Sequence, residues 1–258
     1  MSTSRPPEVP QSVVIVGGGV IGVACAHYLR RAGAAVTIIE QGEFGQGASH
    51  ANCGYVSPSH ALPLAMPGAV GKTLRMMWKK NSPIYVKPRV DFRLWGWLWQ
   101  FARRCNEADM LAAGAARHAL LSSSRRLFDE LIVDESLDCE YETRGCLFVY
   151  EDEHKLDVFT KIDRLQTDCF GVAARRLGRD ELLAMEPAIK PHVAGAWYYE
   201  IDAHLRPDRL LTSWRAALEK MGVEIIEHTK VDGFEVNGRR VAAAQTATGK
   251  LRADAFVV

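Results

Sequence analysis

The sequence predicts an α/β protein with a parallel β-sheet and a second, mixed α+β region inserted into the chain. Three observations support this. An apolar segment at Ser12–Val16 leads into a glycine-rich turn and a helical pattern, and a second apolar segment follows at residues 35–40. A strand, turn, helix and strand in so short a span form a βαβ unit with parallel strands. After a long middle region, a further helical pattern and a further strand pattern follow residue 207.

The first elements follow from hydrophobic patterning. A strand is predicted over residues 12–16, because residues 13–16 are continuously apolar and β-branched, which is typical of a strand buried on both faces of a sheet. The helix is predicted over residues 20–31, where small side chains allow close packing on the sheet. Gly33 is predicted to end the helix in a left-handed conformation.

The later elements are predicted from the same signals. A loop over residues 42–67 is too long to be a simple connection in a compact domain. Helices are predicted over residues 109–133, from Asp180 to before Pro187, and from Pro207 to Gly222. Strands are predicted at 146–150, 194–199, 223–226 and 253–258, with a hairpin at Asn237 and Gly238.

One segment is unusually aromatic. Trp78, Trp95, Trp97 and Trp99 lie close together in the sequence. Core packing or a domain interface would explain them, and so would a substrate wall or a patch that touches a membrane. The sequence leaves these interpretations open.

Composition excludes several classes of function. Lysine and arginine number 32 against 31 aspartate and glutamate, without a long basic run, so nucleic acid is not expected as a partner. The six cysteines lack a C-x-x-C pair, which suits a reducing compartment. The eight histidines form no metal-ligand pattern, and no metal is expected. Four glycines in the N-terminal apolar run argue against a signal peptide.

The glycine turn predicts a dinucleotide site. Gly17, Gly19 and Gly22 form G-x-G-x-x-G between the first strand and its helix. The pattern allows a tight bend, close approach of backbone N–H groups to a pyrophosphate, and close helix packing. Glu40 ends the second strand, where a carboxylate can accept hydrogen bonds from ribose hydroxyls and would repel a 2′-phosphate. NADP is therefore disfavoured, but the glycines do not distinguish NAD from FAD.

The loop GASHANCGYVSP favours FAD. A resident flavin needs a second contact segment whose small residues and backbone amides approach the pyrophosphate and the ring system. Ser49, Asn52 and Gly54 would serve this purpose. The alternative, in which these are ordinary turn residues, stays open on composition alone.

These segments resemble a known family. The blocks VVIVGGGVIGVACAHYLRRAGAAVTIIEQ and GASHANCGYVSPSHALPLAMPG are similar to FAD-dependent amino acid oxidoreductases of the D-amino acid oxidase, glycine oxidase and sarcosine oxidase fold. The resemblance is strongest to bacterial D-amino acid dehydrogenases. The later blocks LRPDRLLTSWRAALEKMGVEI and TATGKLRADAFVV also fit, and the middle third is only loosely patterned.

The resemblance implies a Rossmann-like FAD-binding domain of the glutathione-reductase type at residues 11–73 and 203–258, with an interleaved α+β substrate domain at 74–202. It also implies roles for individual residues. The ADP half of FAD would be bound by Gly17, Gly19, Gly22 and Glu40, the flavin lined by Ser49, Asn52, Cys53 and Gly54, and adenine met by the backbone of Val231. His50 and Tyr55 would be neighbours of flavin or substrate, although a solvent-facing or packed role suits both equally.

The implied function is oxidation of the C–N bond of an amino acid, with FAD as cofactor and a quinone or oxygen as electron acceptor. The implied location is cytoplasmic, with peripheral contact at the inner membrane. The alternatives are a glycine or sarcosine type of amine oxidase, an NAD-dependent dehydrogenase, and an inactive nucleotide-binding module. Because the chain stops at an apolar strand and the family continues further, we expect a fragment whose FAD-binding domain is incomplete at its C-terminus.

Overall fold

The computed structural model describes residues 9–77 and 90–258. These residues form two compact units. The first comprises residues 9–54, 130–142 and 205–258, and the second comprises residues 55–77, 90–129 and 143–204. The domain bounds expected from the sequence, 11–73 with 203–258 and 74–202, stay a prediction.

A parallel sheet forms the centre of the first unit. Its four strands lie in the order β12, β1, β2, β8, and every neighbouring pair is parallel. The bounds of the elements that form the βαβ unit and extend the sheet are β1 Ser12–Val16, α1 Val20–Arg31, β2 Ala35–Ile39, α8 Pro207–Lys220, β8 Glu224–Ile226 and β12 Ala255–Val257. The predicted α/β class with a parallel sheet is confirmed.

The sheet is buried on both faces, as its composition indicates. Val13, Val14 and Ile15 of β1 are at most 3 % exposed, and Ile38 and Ile39 of β2 are at most 1 % exposed. Val13 pairs with Val36, and Ile15 pairs with Ile38. Burial of such aliphatic side chains is the main term that stabilises a sheet of this kind.

A second, antiparallel sheet completes the first unit. Its strands are β9 Val231–Asn237, β10 Arg240–Thr246 and β11 Gly249–Arg252. The first two are joined by the predicted hairpin, with Gly238 at φ +62°. Ala244 of this sheet packs with Val14 and Ile39 of the parallel sheet in one apolar cluster.

The second unit is mixed α+β. Its main sheet is antiparallel in the order β4, β6, β5, and a two-stranded ladder joins β3 to β7. Helix α4, Glu107–Asp134, belongs mostly to this unit, and its last residues, 130–134, belong to the first. The other bounds are β3 Tyr55–Val56, α2 Ala69–Met77, α3 Phe92–Arg104, β4 Cys146–Tyr150, α5 Glu153–Val158, α6 Thr160–Phe170, β5 Arg175–Gly178, α7 Arg179–Met185, β6 Gly195–Tyr199 and β7 Ala203–His204.

Five predicted strand ends need correction: strands β6 and β8 each begin one residue later than predicted, β12 begins two residues later and ends one residue earlier, and β2 ends one residue earlier. Strand β2 ends at Ile39, because the carboxylate of Glu40 turns back to accept a hydrogen bond from the backbone N–H of Gly42. Strand β12 begins at Ala255 rather than 253, because Asp254 is occupied by bonds to Ser12. Its side chain accepts from the Ser12 backbone N–H at 2.8 Å, and its own N–H donates to the Ser12 carbonyl at 3.2 Å.

The core-packing interpretation of the aromatic segment is wrong for three of its tryptophans. Trp95, Trp97 and Trp99 lie on α3 and are 58, 59 and 60 % exposed. The helix presents too many apolar side chains around its circumference for one packed face to cover them. Trp78 lies outside the described residues. Within residues 9–77 and 90–258, no helix has the length and apolar character needed to cross a membrane.

Candidate functional site

The glycine turn has the geometry that its pattern predicts. Gly17 adopts φ +108°, which favours glycine, and its N–H donates to the carbonyl of Ile39 at 2.8 Å. A Cβ on Gly22 would lie 2.0 Å from the Gly17 carbonyl oxygen. Helix α1 can therefore begin this close to the turn only with glycine at position 22.

Glu40 is bonded directly to this turn. One carboxylate oxygen accepts from the N–H of Gly18 at 2.8 Å, and the other accepts from the N–H of Gly42 at 2.9 Å. Each carboxylate oxygen can accept more than one hydrogen bond, so capacity remains for hydroxyl donors. Glu40 thus combines a fixed position at the carboxyl end of β2 with free acceptor capacity.

The loop over residues 47–54, here called the flavin loop, meets the start of helix α1. The hydroxyl of Ser49 accepts a hydrogen bond from the N–H of Val20 at 3.0 Å. A Cβ on Gly19 would lie 3.2 Å from that hydroxyl oxygen. The two segments singled out from the sequence, the glycine turn and this loop, are therefore brought together at one helix N-terminus.

Asn52 holds the flavin loop in shape. Its side-chain amide donates to the carbonyl of Ser49 at 2.7 Å, and its side-chain oxygen accepts from the N–H of Gly54 at 2.7 Å. Gly54 adopts φ +67°, and a Cβ there would lie 2.0 Å from the carbonyl oxygen of Leu205. The N–H of Leu205 in turn donates to the Gly54 carbonyl at 3.0 Å. The end of the loop is thus pinned against the chain that leads into α8.

Val231 begins strand β9 beside the segment that contacts Glu40. The N–H of Thr229, two residues earlier, donates to the backbone carbonyl of Glu40 at 2.9 Å. The side chain of Val231 packs against the cluster of Val14, Ile39 and Ala244. The side chain of Val231 is therefore used in packing, and the contact of its backbone with adenine stays a prediction.

The three remaining candidates lie at different places. Cys53 is exposed within the flavin loop. His50 lines a cavity of about 430 Å³ in the first unit, together with Asp208 and Arg215. Tyr55 lies in β3 of the second unit, is 61 % exposed and pairs with His204. No chemical step is assigned to these side chains.

Sequence reasoning missed the contacts that hold the turn from its other side. The ring of Phe44 packs on Gly18, where a Cβ would come within 2.9 Å of a ring carbon. The N–H of Phe44 donates to Glu227 at 2.7 Å, and Arg215 donates to both oxygens of Glu227 at 3.0 and 2.8 Å. The Arg215 guanidinium and the Phe44 N–H hold the pKa of Glu227 below its usual range. The middle one of the three consecutive glycines, Gly18, is not required by the G-x-G-x-x-G pattern, and it is the signal that could have pointed to Phe44.

The arrangement suits a group with a pyrophosphate and a ribose. The first N–H groups of a helix have no partner within the helix and carry its positive dipole end, so the start of α1 favours an anion. Glu40 adds a hydroxyl acceptor, and Gly19 leaves the helix start free of a side chain. The residues present therefore fit an ADP-containing cofactor.

Comparison with known families decides which cofactor class this is. A family profile described as FAD dependent oxidoreductase, abbreviated DAO, matches residues 12–258. The chain belongs to the DAO family of FAD-dependent oxidoreductases. The prediction of FAD rather than NAD is thereby confirmed for the family, as is the predicted family resemblance.

Curated relatives in the DAO family agree with this assignment. The chain is 31% identical over 252 residues to D-amino acid dehydrogenase 2 of Mesorhizobium japonicum, with 95% of this chain and 60% of the relative covered. It is 33% identical over 254 residues to D-amino acid dehydrogenase of Granulibacter bethesdensis, covering 95% and 59%. The chain thus spans about three fifths of the length of these relatives.

Solved structures support the DAO fold. Glycine oxidase from Geobacillus kaustophilus matches with a TM-score of 0.68 at 21% identity, covering 95% of this chain and 53% of that one. Glycine oxidase from Bacillus cereus matches with a TM-score of 0.66 at 22% identity, covering 95% and 54%. At this level of identity, the likeness concerns the fold alone.

Proposed function

We propose that this chain is part of an FAD-dependent enzyme that oxidises the C–N bond of an amino acid, and that the substrate is a D-amino acid. Bound FAD supplies the acceptor for the hydride that leaves the substrate α-carbon. The resulting imino acid then reacts with water to give a 2-keto acid and ammonia. The curated relatives named D-amino acid dehydrogenase support the choice of substrate class.

The observation that carries the proposal is the bond between Ser49 and Val20. It joins the flavin loop to the glycine turn at the start of α1, at 3.0 Å. A dinucleotide that is only a passing substrate needs the glycine turn, whereas a resident flavin also needs a second segment beside it. The meeting of these two segments therefore supports FAD as a resident cofactor of this chain.

In this proposal, each residue has a binding task. Gly17, Gly19 and Gly22 let the pyrophosphate approach the first N–H groups of α1. Glu40 accepts hydrogen bonds from the ribose hydroxyls, and the hydroxyl of Ser49 retains a proton that it can donate to a phosphate oxygen. These are positioning tasks, since the cofactor carries the redox chemistry.

The flavin end of the cofactor has its own set of residues in this proposal. Asn52, Cys53 and Gly54 line the flavin, and the backbone of Val231 meets the adenine at the other end. Because Asn52 and Gly54 are held by hydrogen bonds at 2.7 and 3.0 Å, their backbone is already ordered for such contacts.

A second candidate function is oxidation of glycine or a related small amine. The fold is compatible with it, since glycine oxidases are among the structural neighbours. The electron acceptor differs between the two candidates: a quinone suits a dehydrogenase, and dioxygen suits an oxidase. An inactive nucleotide-binding module is the third outcome, which the test below distinguishes.

The test uses the purified chain reconstituted with FAD. Anaerobic addition of a D-amino acid is expected to bleach the flavin absorbance, and the matching L-amino acid serves as the control. Bleaching by glycine or sarcosine alone would favour the amine oxidase. If FAD binds and no amine bleaches it, the chain alone is an inactive module. Repeating the experiment with quinone or dioxygen identifies the acceptor.

A further inference from the structure

Both backbone groups of Gly18, the middle glycine of the turn, are hydrogen-bonded to the segment that follows β2. The N–H of Gly18 donates to the carboxylate of Glu40 at 2.8 Å, and its carbonyl accepts from the N–H of Gly45 at 3.1 Å. The G-x-G-x-x-G pattern leaves position 18 open to other residues. These contacts are therefore a feature of this chain that the dinucleotide motif does not explain.

The ring of Phe44 explains why position 18 holds a glycine. A Cβ on Gly18 would lie 2.9 and 3.4 Å from two carbons of this ring. The backbone of Gly18 is not left-handed, so the ring, rather than backbone strain, disfavours a side chain there. Phe44 is 7 % exposed, and a ring packed this closely has little room to move aside. Phe44 therefore sets the space that is available at position 18.

An ion pair anchors Phe44 from its other side. The Phe44 N–H donates to Oε1 of Glu227 at 2.7 Å, and the Arg215 guanidinium donates to Oε1 and Oε2 of Glu227 at 3.0 and 2.8 Å. The same guanidinium lies 5.3 Å from the centroid of the Phe44 ring. Arg215 lies on α8 and Glu227 directly follows β8. Because bidentate charge-assisted hydrogen bonds fix geometry, the carboxylate that receives the Phe44 N–H is held in one orientation.

Other hydrogen bonds fasten the segment over residues 40–46 without the help of Phe44. The N–H of Glu40 donates to the carbonyl of Ile226 at 2.9 Å, and the N–H of His228 donates to the carbonyl of Gly42 at 3.1 Å. Loss of the contact between Phe44 and Glu227 should therefore shift the ring and the glycine turn beside it, while the rest of the segment stays attached to the sheet.

We propose that Phe44, Glu227 and Arg215 are positioning residues for FAD. Through Gly18, they fix the direction of the backbone N–H groups at the start of α1 before the cofactor binds, so that less conformational entropy is lost on binding. The inference rests on the proposed function, which assigns the glycine turn to the pyrophosphate of FAD. A purely structural role would lower the stability of the chain and leave the FAD affinity of the folded protein unchanged.

The test is fluorescence titration of the apoprotein with FAD, well below the Tm of each variant. Glu227→Ala leaves the Phe44 N–H without its acceptor and is expected to raise the dissociation constant about tenfold. Glu227→Gln keeps an acceptor for this N–H, so its loss should be about threefold. Arg215→Gln should lose about threefold as well, because the carboxylate is no longer held by two bonds.

Two control variants separate positioning from stability. Leu131→Ala removes a side chain that is 4 % exposed near the end of α4, and it should lower Tm without changing the affinity for FAD. Arg209→Gln matches Arg215→Gln on the same helix, because it breaks ion pairs with Asp138 and Glu140 at 3.3 and 3.0 Å. It should bind FAD as the wild type does. Circular dichroism checks that every variant is folded.

A double-mutant cycle tests the contact between the ring and the glycine. Gly18→Ala alone should weaken FAD binding about tenfold, because its Cβ meets the Phe44 ring. Phe44→Leu makes room for this Cβ, so the double variant should bind FAD at least about threefold more tightly than Gly18→Ala. This comparison also serves if Glu227→Ala does not fold.

The outcomes distinguish the inference from the proposed function. A wild-type chain that takes up no FAD would overturn both. A wild-type chain that binds FAD, together with Glu227 and Gly18 variants that bind it equally tightly, would overturn the inference alone. So would a loss of affinity in Leu131→Ala as large as that in Glu227→Ala, or a double variant that recovers no affinity.

Discussion

Replacement of Gly54 by alanine tests how the flavin loop is held. The native φ of +67° disfavours a side chain, which costs about 1–2 kcal/mol. The new Cβ would also lie 2.0 Å from the Leu205 carbonyl oxygen, so two backbone segments must separate by about 1 Å to reach 3.0 Å. Relief of such overpacking costs about 1–3 kcal/mol.

The combined loss for Gly54→Ala is therefore about 2–5 kcal/mol of unfolding free energy. For a chain of this size, that corresponds to a fall in Tm of about 4 °C or more. Because the displaced segment belongs to the flavin loop, the dissociation constant for FAD should rise as well. Calorimetry measures the first effect, and titration of flavin fluorescence measures the second.

The matched control is Gly47→Ala in the same loop. A Cβ at position 47 would meet no atom within 4 Å, and the backbone there is not left-handed, so Tm should stay within about 1 °C of the wild type. If Gly54→Ala unfolds at the wild-type temperature and binds FAD as tightly, then the pinning of the loop by Leu205 is not what orders it.

Three further predictions concern single side chains. Glu40→Gln should weaken FAD binding about tenfold because charge-assisted hydrogen bonds are lost. The control variant Glu43→Gln should bind FAD as the wild type does, and equal FAD affinities of the two variants would contradict the role given to Glu40. Asp202 is 1 % exposed, burial raises its pKa, and its carboxylate accepts from the N–H and hydroxyl of Ser59. The stability that neutral Asp202 supplies is present below the pKa of Asp202 in the unfolded chain, and it is lost as pH rises through the raised pKa of the folded state. At pH 7, Asp202→Asn should therefore have a Tm no lower than that of the wild type, whereas Asp202→Ala should lose about 1–3 kcal/mol of unfolding free energy because the Ser59 groups lose their partner. An equal loss of unfolding free energy in both variants would refute this. Burial lowers the pKa of His27 below 6.5, so the free energy of unfolding should fall as pH drops below about 6.5. In urea titrations at several pH values, His27→Leu should show a weaker dependence of the unfolding free energy on pH.

The local elements of the fold could be predicted because their signals are local. Strand β1 and helix α1 have the bounds that the hydrophobic pattern and glycine spacing predict. The roles of Gly17 and Gly22 also followed from the motif, because a tight turn before a helix demands glycine at fixed positions. The loop over residues 47–54 was singled out for a similar reason, since small residues mark a close approach of backbone, and the structure brings it to the start of α1; its contact with flavin stays a prediction.

The contacts between distant segments could not be predicted. Phe44 and Glu227 are joined by a hydrogen bond across 183 positions, and Ser59 and Asp202 by one across 143. No periodicity encodes such pairs, because they depend on how strands and loops come together in three dimensions. The aromatic segment shows the same limit. The sequence suggests that Trp95, Trp97 and Trp99 belong to a core, and their exposure on α3 emerged only from the folded structure.

The cofactor that the purified chain binds tests the central claim most directly. Titration of the apoprotein with FAD should give a saturable spectrum of bound flavin, and NAD added in excess should not compete with it. Gly22→Ala should abolish this binding, because its Cβ would lie 2.0 Å from the Gly17 carbonyl oxygen. A chain that takes up no FAD, or that binds NAD in its place, would contradict the assignment of the glycine turn and the flavin loop to a resident flavin.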